Sequence, residues 1–156
     1  AGCPVRHVKT HGAMGNPANE DADLALAVAR AIRTLDRDLI FVVMPGLETE
    51  RAGERLGLPI AREIYADRAY ADDGTLVSRK LPGAVLHEPA AVSERVVRML
   101  EDGAITSLSG RRIPTRIDTV CVHGDTNGAV EMARRLRNDF ATQGVSLRPM
   151  AEVLGV

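Results

Sequence analysis

Cysteine is scarce in this sequence, which has two, Cys3 and Cys121, among 156 residues. The two cysteines form no CxxC motif, and Cys121 lies within the apolar run TVCVH, so we expect a reduced core residue and no disulfide bond. An excess of charge is lacking as well: the formal net charge is -1, which provides no general attraction to nucleic acid or to an anionic membrane. Any phosphate binding must therefore be local.

Long apolar runs are also missing. No run approaches the roughly 20 residues that a membrane-spanning helix needs, and no basic segment followed by an apolar one resembles a signal peptide. We therefore expect a cytoplasmic protein without a nucleic-acid or membrane partner. The chain begins AGCPV, without an initiator methionine, and we expect it to be part of a longer protein.

Several motifs that would identify a site directly are absent. The sequence has no GxxxxGK[ST] loop, no GxGxxG after a strand, no GxSxG and no HExxH. ATP, if it is used, is therefore not held by a Walker-type loop. Metal binding stays unassigned, because the candidate donors His11, His123, Asp67 and Asp125 show no close ligand spacing.

What is present is an alternation of strand and helix patterns over about one domain length. The patterns predict strands at 5–10, 39–44, 59–65 and 117–123, a possible last strand at 145–148, and helices from Asn16-Pro17 to Leu35, at 48–56, at about 90–101 and at 127–142. A long polar loop, 66–82, is too long for an idle connector. The alternation predicts a parallel α/β sheet, open or closed into a barrel, in a single domain over 1–156.

Polar residues at the carboxyl ends of the predicted strands form a candidate site, because the loops of parallel α/β folds converge there. These residues are Lys9, His11, Glu63, Asp67, Arg68, His123 and Asp125. We expect them to meet in one pocket. Lys9 needs an anion beside it, which is either a bound ligand or an ion pair with Glu63 or Asp125. Asp67 and Arg68 alone would indicate a surface ion pair, and His87 receives no role.

Four segments together resemble the LamB/YcsF family. They are VKTHGAMGN (8–16), EIYADRAYADDGTLVSR (63–79), PGAVLHEPAAVSERVVRMLEDGAI (82–105) and DTVCVHGDTNGAVEMARRLRNDF (118–140). The resemblance implies a (β/α) barrel of the glycoside hydrolase and deacetylase type, incomplete in this chain. It also implies ATP-dependent hydrolysis of 5-oxoproline to L-glutamate by the A subunit of 5-oxoprolinase, with partner subunits B and C and with Mg²⁺ accompanying the nucleotide.

As a hypothesis, the position of each candidate residue assigns it a role in this chemistry. Phosphate or substrate would be bound by the cationic side chains of Lys9, Arg68 and Arg79 and by the glycines Gly12 and Gly124. Glu63 or Asp67 would act as a base or anchor a metal ion. His11 and His123 would transfer protons, and Asp125 would orient one of them.

The chain departs from the family pattern at several positions. Family members usually have Pro in place of Thr10 and Leu-Tyr in place of Met14-Gly15, and they begin with an acidic motif, Asn-Ala-Asp-Leu-Gly-Glu, that is absent here. This leaves open that the isolated chain is inactive. Two alternatives also stay open: a metal-dependent deacetylase-like hydrolase that does not use ATP, and a non-catalytic assembly module. A homo-oligomer is a further open possibility.

Overall fold

The computed structural model of the protein describes residue 2 and residues 4–156. Cys3, for which no disulfide bond is expected, lies outside the described residues. The chain forms two compact units, the first comprising described residues up to 63 together with 149–156, and the second comprising 64–148. The single domain therefore stays a prediction.

Strands and helices alternate along most of the chain. The strands are β1 (His7–Lys9), β2 (Ile40–Val43), β3 (Ile60–Tyr65), β4 (Ala104–Thr106), β5 (Arg112–Pro114) and β6 (Thr119–Cys121). The helices are α1 (Gly12–Glu20), α2 (Ala22–Leu35), α3 (Glu48–Arg55), α4 (Pro89–Asp102), α5 (Ala129–Thr142) and α6 (Met150–Leu154). None of these helices is long and apolar enough to cross a membrane.

The first unit is built on parallel pairing of β1 with β2 and of β2 with β3. All four residues of β2 are buried, as expected for a continuous apolar run. Phe41 and Val43 pack on one face with residues of α2, whereas Ile40 and Val42 share the other face with Ala61 and partly buried residues of α6. Helices therefore cover both faces of this strand.

The first helical region differs from the prediction of one helix starting at Pro17. It consists of α1, which begins at Gly12 and contains Pro17, and α2, which begins after the N-cap Asp21. The Asp21 carboxylate accepts hydrogen bonds from the backbone N–H groups of Asp23 and Leu24, at 2.9 and 3.0 Å. This capping satisfies donors that the first turn of a helix leaves unpaired, and it separates the two helices.

The second unit contains the end of β3, the long loop, α4, β4, β5, β6 and α5. The overall strand order is β1-β2-β3-β6. The backbone N–H of Ala66, just after β3, donates to the carbonyl of Cys121 in β6 at 2.9 Å. The ends of β3 and β6 are therefore adjacent, which determines the position of the residues that follow each strand.

Two features of this region were not predicted correctly. An antiparallel hairpin, β4 with β5, occupies the segment that had no assignment. The possible strand at 145–148 is wrong, because those residues are irregular and lead into α6. The hairpin strands have three residues each, which is too short for a periodic pattern to show.

Candidate functional site

A buried carboxylate bonded to a histidine lies at the ends of β3 and β6. Asp67 is fully buried, and its Oδ1 is 2.7 Å from Nδ1 of His123. Its Oδ2 accepts a hydrogen bond from the Thr126 hydroxyl, also at 2.7 Å. Because an ionised carboxylate only accepts hydrogen bonds, Nδ1 of His123 is the donor in this contact, and Nε2 is the ring nitrogen that can accept a proton from a ligand. This arrangement suits a general base.

Aromatic residues hold the imidazole and the strand end in place. The Tyr65 ring stacks on the His123 ring with centroids 5.4 Å apart and an interplanar angle of 21°. The hydroxyl of Tyr70, itself fully buried, accepts a hydrogen bond from the backbone N–H of Tyr65 at 2.7 Å. The ring of His123 is therefore fixed by stacking as well as by the bond to Asp67.

A cavity of about 350 Å³ lies beside Thr126, the residue whose hydroxyl donates to Asp67. Its lining comprises Arg79, Leu81, Gly83, Val85, His87, Asp125, Thr126 and Asn127. Thr126 belongs both to the cavity wall and to the hydrogen bonds of Asp67, so the cavity and the carboxylate are connected through one side chain. Arg79 and Asp125, both on the cavity wall, form an ion pair at 3.6 Å, and both side chains are substantially exposed. Small-molecule sites are commonly clefts of this size with a few polar groups.

Arg68 lies directly after Asp67, but its guanidinium is directed toward the backbone of the long loop. Nη2 donates to the carbonyl of Val77 at 2.7 Å, and Nε donates to the carbonyl of Ala84 at 3.4 Å. Burial, together with the nearby charge of Arg79, lowers the pKa of Arg68 from its ordinary value. The side chain therefore fixes the loop that forms one wall of the cavity.

Lys9 and Glu63 form a largely buried ion pair in the first unit. The pairing corresponds to one of the alternatives that the sequence leaves open for Lys9. His11 is an exposed residue at the N-cap position of α1, where its backbone carbonyl accepts from the N–H groups of Met14 and Gly15 at 3.1 Å each. Gly12, which follows it, has a φ of 52°, a conformation that favours glycine.

The structure therefore distributes the candidates over two sets of contacts. One set is Lys9 with Glu63, and the other comprises Asp67, His123 and the ion pair of Arg79 with Asp125, with Gly124 in the turn between His123 and Asp125. Sequence reasoning assigned Asp125 to orient a histidine, whereas the carboxylate that contacts His123 is that of Asp67.

The sequence reasoning missed Thr126 and Tyr65. A signal for Thr126 is its position in the turn after His123, where its backbone N–H donates to the His123 carbonyl at 3.2 Å. Among residue 2 and residues 4–156, no group of three or more His, Cys, Asp or Glu side chains is placed to hold a metal ion.

Comparison with known proteins gives a consistent result. A model of the LamB/YcsF family matches residues 1–155. The A subunit of 5-oxoprolinase from Rhodopseudomonas palustris strain BisB18 is 56% identical over 151 residues, which cover 97% of this chain and 59% of that protein. The second A subunit of 5-oxoprolinase from Bradyrhizobium diazoefficiens is 53% identical over 149 residues, covering 96% of this chain and 58% of that one.

A solved structure is similar over nearly the same region. The crystal structure of the lactam utilization protein from Thermus thermophilus matches with a TM-score of 0.85 and 35% identity, covering 94% of this chain and 58% of that chain. The predicted α/β class with parallel strands is thereby confirmed. The chain spans about 59% of the length of the curated relatives that it matches.

Proposed function

The chain belongs to the LamB/YcsF family, and from this premise we propose that it contributes to ATP-dependent hydrolysis of 5-oxoproline to L-glutamate as part of the A subunit of a 5-oxoprolinase. The observation that carries the proposal is the buried Asp67, which is bonded to His123 and is connected through Thr126 to a polar cavity. The names of the relatives from Rhodopseudomonas and Bradyrhizobium support the same activity.

The chemistry of a lactam explains why ATP would be needed. The lactam carbonyl is a poor electrophile and its nitrogen a poor leaving group. Transfer of the terminal phosphoryl group of ATP to the carbonyl oxygen releases ADP and gives an activated imidate. One water molecule adds to the ring carbon and the C–N bond breaks, which leaves an acyl phosphate of glutamate. A second water molecule replaces phosphate at the same carbon.

His123 is suited to the water-addition steps. Nε2 accepts the proton of water as its oxygen attacks the ring carbon, and the imidazolium then returns a proton to the departing ring nitrogen. Asp67 fixes the required tautomer and stabilises the imidazolium while it carries the extra proton. Thr126 holds the second oxygen of the carboxylate, so the carboxylate plane cannot rotate away from the ring.

The cavity beside this pair is proposed to bind the lactam and the phosphoryl group being transferred. Arg79 is the cationic residue on the cavity wall, and its contact with exposed Asp125 is long enough to be exchanged for a phosphate oxygen. Arg68 supports the wall indirectly through its bonds to the loop carbonyls. Mg²⁺ would enter with the nucleotide, and no residue of the chain is assigned to it.

Weaker roles are proposed for five other residues: Lys9, Glu63, His11, Gly12 and Gly124. The ion pair supports a structural role for Lys9 and Glu63 over direct phosphate binding, since each charge already has its partner. His11 is proposed as an accessory proton donor and Gly12 as a backbone contact to substrate. Gly124 is proposed to let a ligand approach the turn closely, because a Cβ atom there would meet nothing within 4 Å.

We further propose that activity requires partner subunits B and C and that the protein acts in the cytoplasm. The relatives are named as one lettered component of 5-oxoprolinase, which supports a multi-subunit assembly.

The test is an assay of ATP-dependent glutamate formation. It uses the chain together with any residues that flank it in its native protein, and it includes subunits B and C. Asp67→Asn and His123→Ala are expected to lower kcat by roughly 100-fold or more, because both remove the oriented base. Asp38→Asn, at an exposed position in the first unit, is the matched control and should leave kcat unchanged. Full turnover in both test variants would refute the assignment.

A further inference from the structure

Arg95 lies on the inner side of α4. It is a cationic residue that the proposed mechanism does not use. Val92, Val96 and Met99 are buried on this helix at spacings of four and three residues, which places them on one face. Arg95 follows Val92 by three residues and so projects from the same side. The side chain is half-buried, although the helix has exposed positions where a solvated arginine would fit.

The guanidinium of Arg95 binds the backbone around Asp67. Nη1 donates to the carbonyl of Ala66 at 3.2 Å and lies 3.5 Å from that of Tyr65, and Nη2 donates to the carbonyl of Arg68 at 3.1 Å. The guanidinium carbon also lies 5.5 Å from the centroid of the Tyr70 ring, within cation–π range. One side chain thus holds the carbonyl groups of the two residues that flank Asp67 in the chain, Ala66 and Arg68.

The remaining carbonyl of this segment is also bound. The carbonyl of Asp67 accepts from the backbone N–H of Leu86 at 2.9 Å. Burial lowers the pKa of Arg95, while the charges of Tyr70 and Asp67 oppose that shift. The carbonyls of Ala66, Asp67 and Arg68 are therefore all hydrogen-bonded, two of them by Arg95.

We propose that Arg95 is a positioning residue for the Asp67–His123 pair. It fixes the backbone on both sides of Asp67, and it thereby keeps the carboxylate aligned with Nδ1 of His123. A misplacement of about 1 Å in the residues that support a catalytic group can lower the rate roughly 100-fold. The alignment of Asp67 with His123 therefore affects the base even though Arg95 touches no substrate. The catalytic consequence rests on the proposed function, but the alignment itself does not.

The alignment can be measured without any activity. The chain has four histidines, so imidazole NMR signals are few, and His123→Ala identifies the Nδ1–H signal of His123 by its loss. Arg95→Met should shift this signal and speed its exchange with water by roughly tenfold, since one charge-assisted hydrogen-bond partner is worth about that factor. Arg95→Lys, which keeps the charge without the planar fork, should give an intermediate change.

Arg98→Met is the matched control. Arg98 lies on the same helix, but its side chain is exposed and pairs with Glu94 at 2.7 Å. This variant should leave the Nδ1–H signal and its exchange rate unchanged. If Arg95→Met does not fold, Arg95→Lys decides. An unaltered Nδ1–H signal and exchange rate in the folded Arg95 variant would overturn the proposal.

Kinetics separate this inference from the proposed function. In the assembled enzyme, Arg95→Met should lower kcat with little change in KM, because alignment of the base is lost and substrate contacts are kept. If the NMR signal responds to Arg95 while Asp67→Asn retains full activity, the positioning role stands and the proposed chemistry fails. A changed KM with an unchanged kcat would contradict the positioning role.

Discussion

At the residue scale, the most informative contact is the one between a fully buried carboxylate and a histidine that remains partly exposed. Each carboxylate oxygen of Asp67 accepts a hydrogen bond from a different residue, Oδ1 from His123 and Oδ2 from Thr126. A buried carboxylate with one donor removed retains the desolvation cost without the compensating bond. The hydroxyl of Thr126 therefore contributes both to folding stability and to the direction in which the carboxylate points.

Substitution at Thr126 tests this double contribution. Thr126→Val keeps the shape and removes the donor, and it should destabilise the fold by about 1–3 kcal/mol while lowering kcat. Thr126→Ser restores the hydroxyl and should recover most of both losses. Urea unfolding and the glutamate assay provide the two measurements. Thr142→Val, at an exposed position on α5, is the control, and an effect of equal size there would argue against a specific role for Thr126.

The Lys9–Glu63 pair makes a second residue-scale prediction. Both side chains are largely buried, at 15% and 9% exposure. Removing one partner leaves an uncompensated charge, so Lys9→Met and Glu63→Gln should each destabilise the first unit, Lys9→Met by about 3–5 kcal/mol. The double variant should be more stable than Lys9→Met alone, which a double-mutant cycle would reveal.

Glu94→Gln is the control for this cycle, because Glu94 pairs with Arg98 at an exposed site and should change stability by less than about 1 kcal/mol. Strictly additive effects of Lys9→Met and Glu63→Gln would contradict the ion pair as a stabilising unit. Such a result would favour a ligand as the intended partner of Lys9.

At the element scale, the carboxylate of Asp72 helps to attach the β4–β5 hairpin to the long loop. Asp72 Oδ1 accepts hydrogen bonds from the hydroxyls of Ser107 and Ser109, which lie in the hairpin turn. These two bonds lower the pKa of Asp72, and the charge of Arg111 adds to the effect. The folded protein therefore binds a proton at this site less readily than the unfolded chain does.

This linkage predicts a pH dependence with a definite sign. The contribution of Asp72 is fully present above the unfolded-state pKa, about 3.9, and is lost as the pH falls through the lower folded-state pKa. The stability difference between the wild type and Asp72→Asn should therefore shrink as urea unfolding is moved from pH 6 to pH 3. Asp38→Asn should show no such trend. A difference that stays constant with pH would refute the linkage.

The elements also show how far local sequence patterns reach. The apolar run at 39–44 and the stripe of α2 predicted their elements because burial imposes a strong period on them. The sequence pattern does not predict the boundary between α1 and α2, because this boundary depends on Asp21 as an N-cap, whereas Asn16-Pro17 is the more conspicuous signal for a helix start. The hairpin was missed because pairing between β4 and β5 is a tertiary property that a three-residue strand does not encode locally.

At the scale of the whole molecule, the candidate site was predictable to the extent that it follows from strand ends. Asp67 and His123 follow the ends of β3 and β6, and the adjacency of these two strands makes them neighbours. The orienting carboxylate was not predictable, because Asp67 and Asp125 occupy equivalent positions in the sequence pattern. Only side-chain packing distinguishes the buried Asp67 from the exposed Asp125.

The last prediction concerns the assembled enzyme and the fate of one oxygen atom. If the phosphoryl group of ATP is transferred to the lactam carbonyl oxygen, that oxygen leaves in phosphate, and both oxygens of the new carboxylate come from water. With ¹⁸O in the lactam carbonyl, the label should appear in inorganic phosphate, as measured by mass spectrometry. His123→Ala should slow release of labelled phosphate and formation of glutamate together, because its base acts on the waters that produce both. Label retained in the carboxylate of glutamate would mean that phosphate does not leave by cleavage of the bond between this oxygen and carbon, and the proposed route would then be wrong whatever the role of His123.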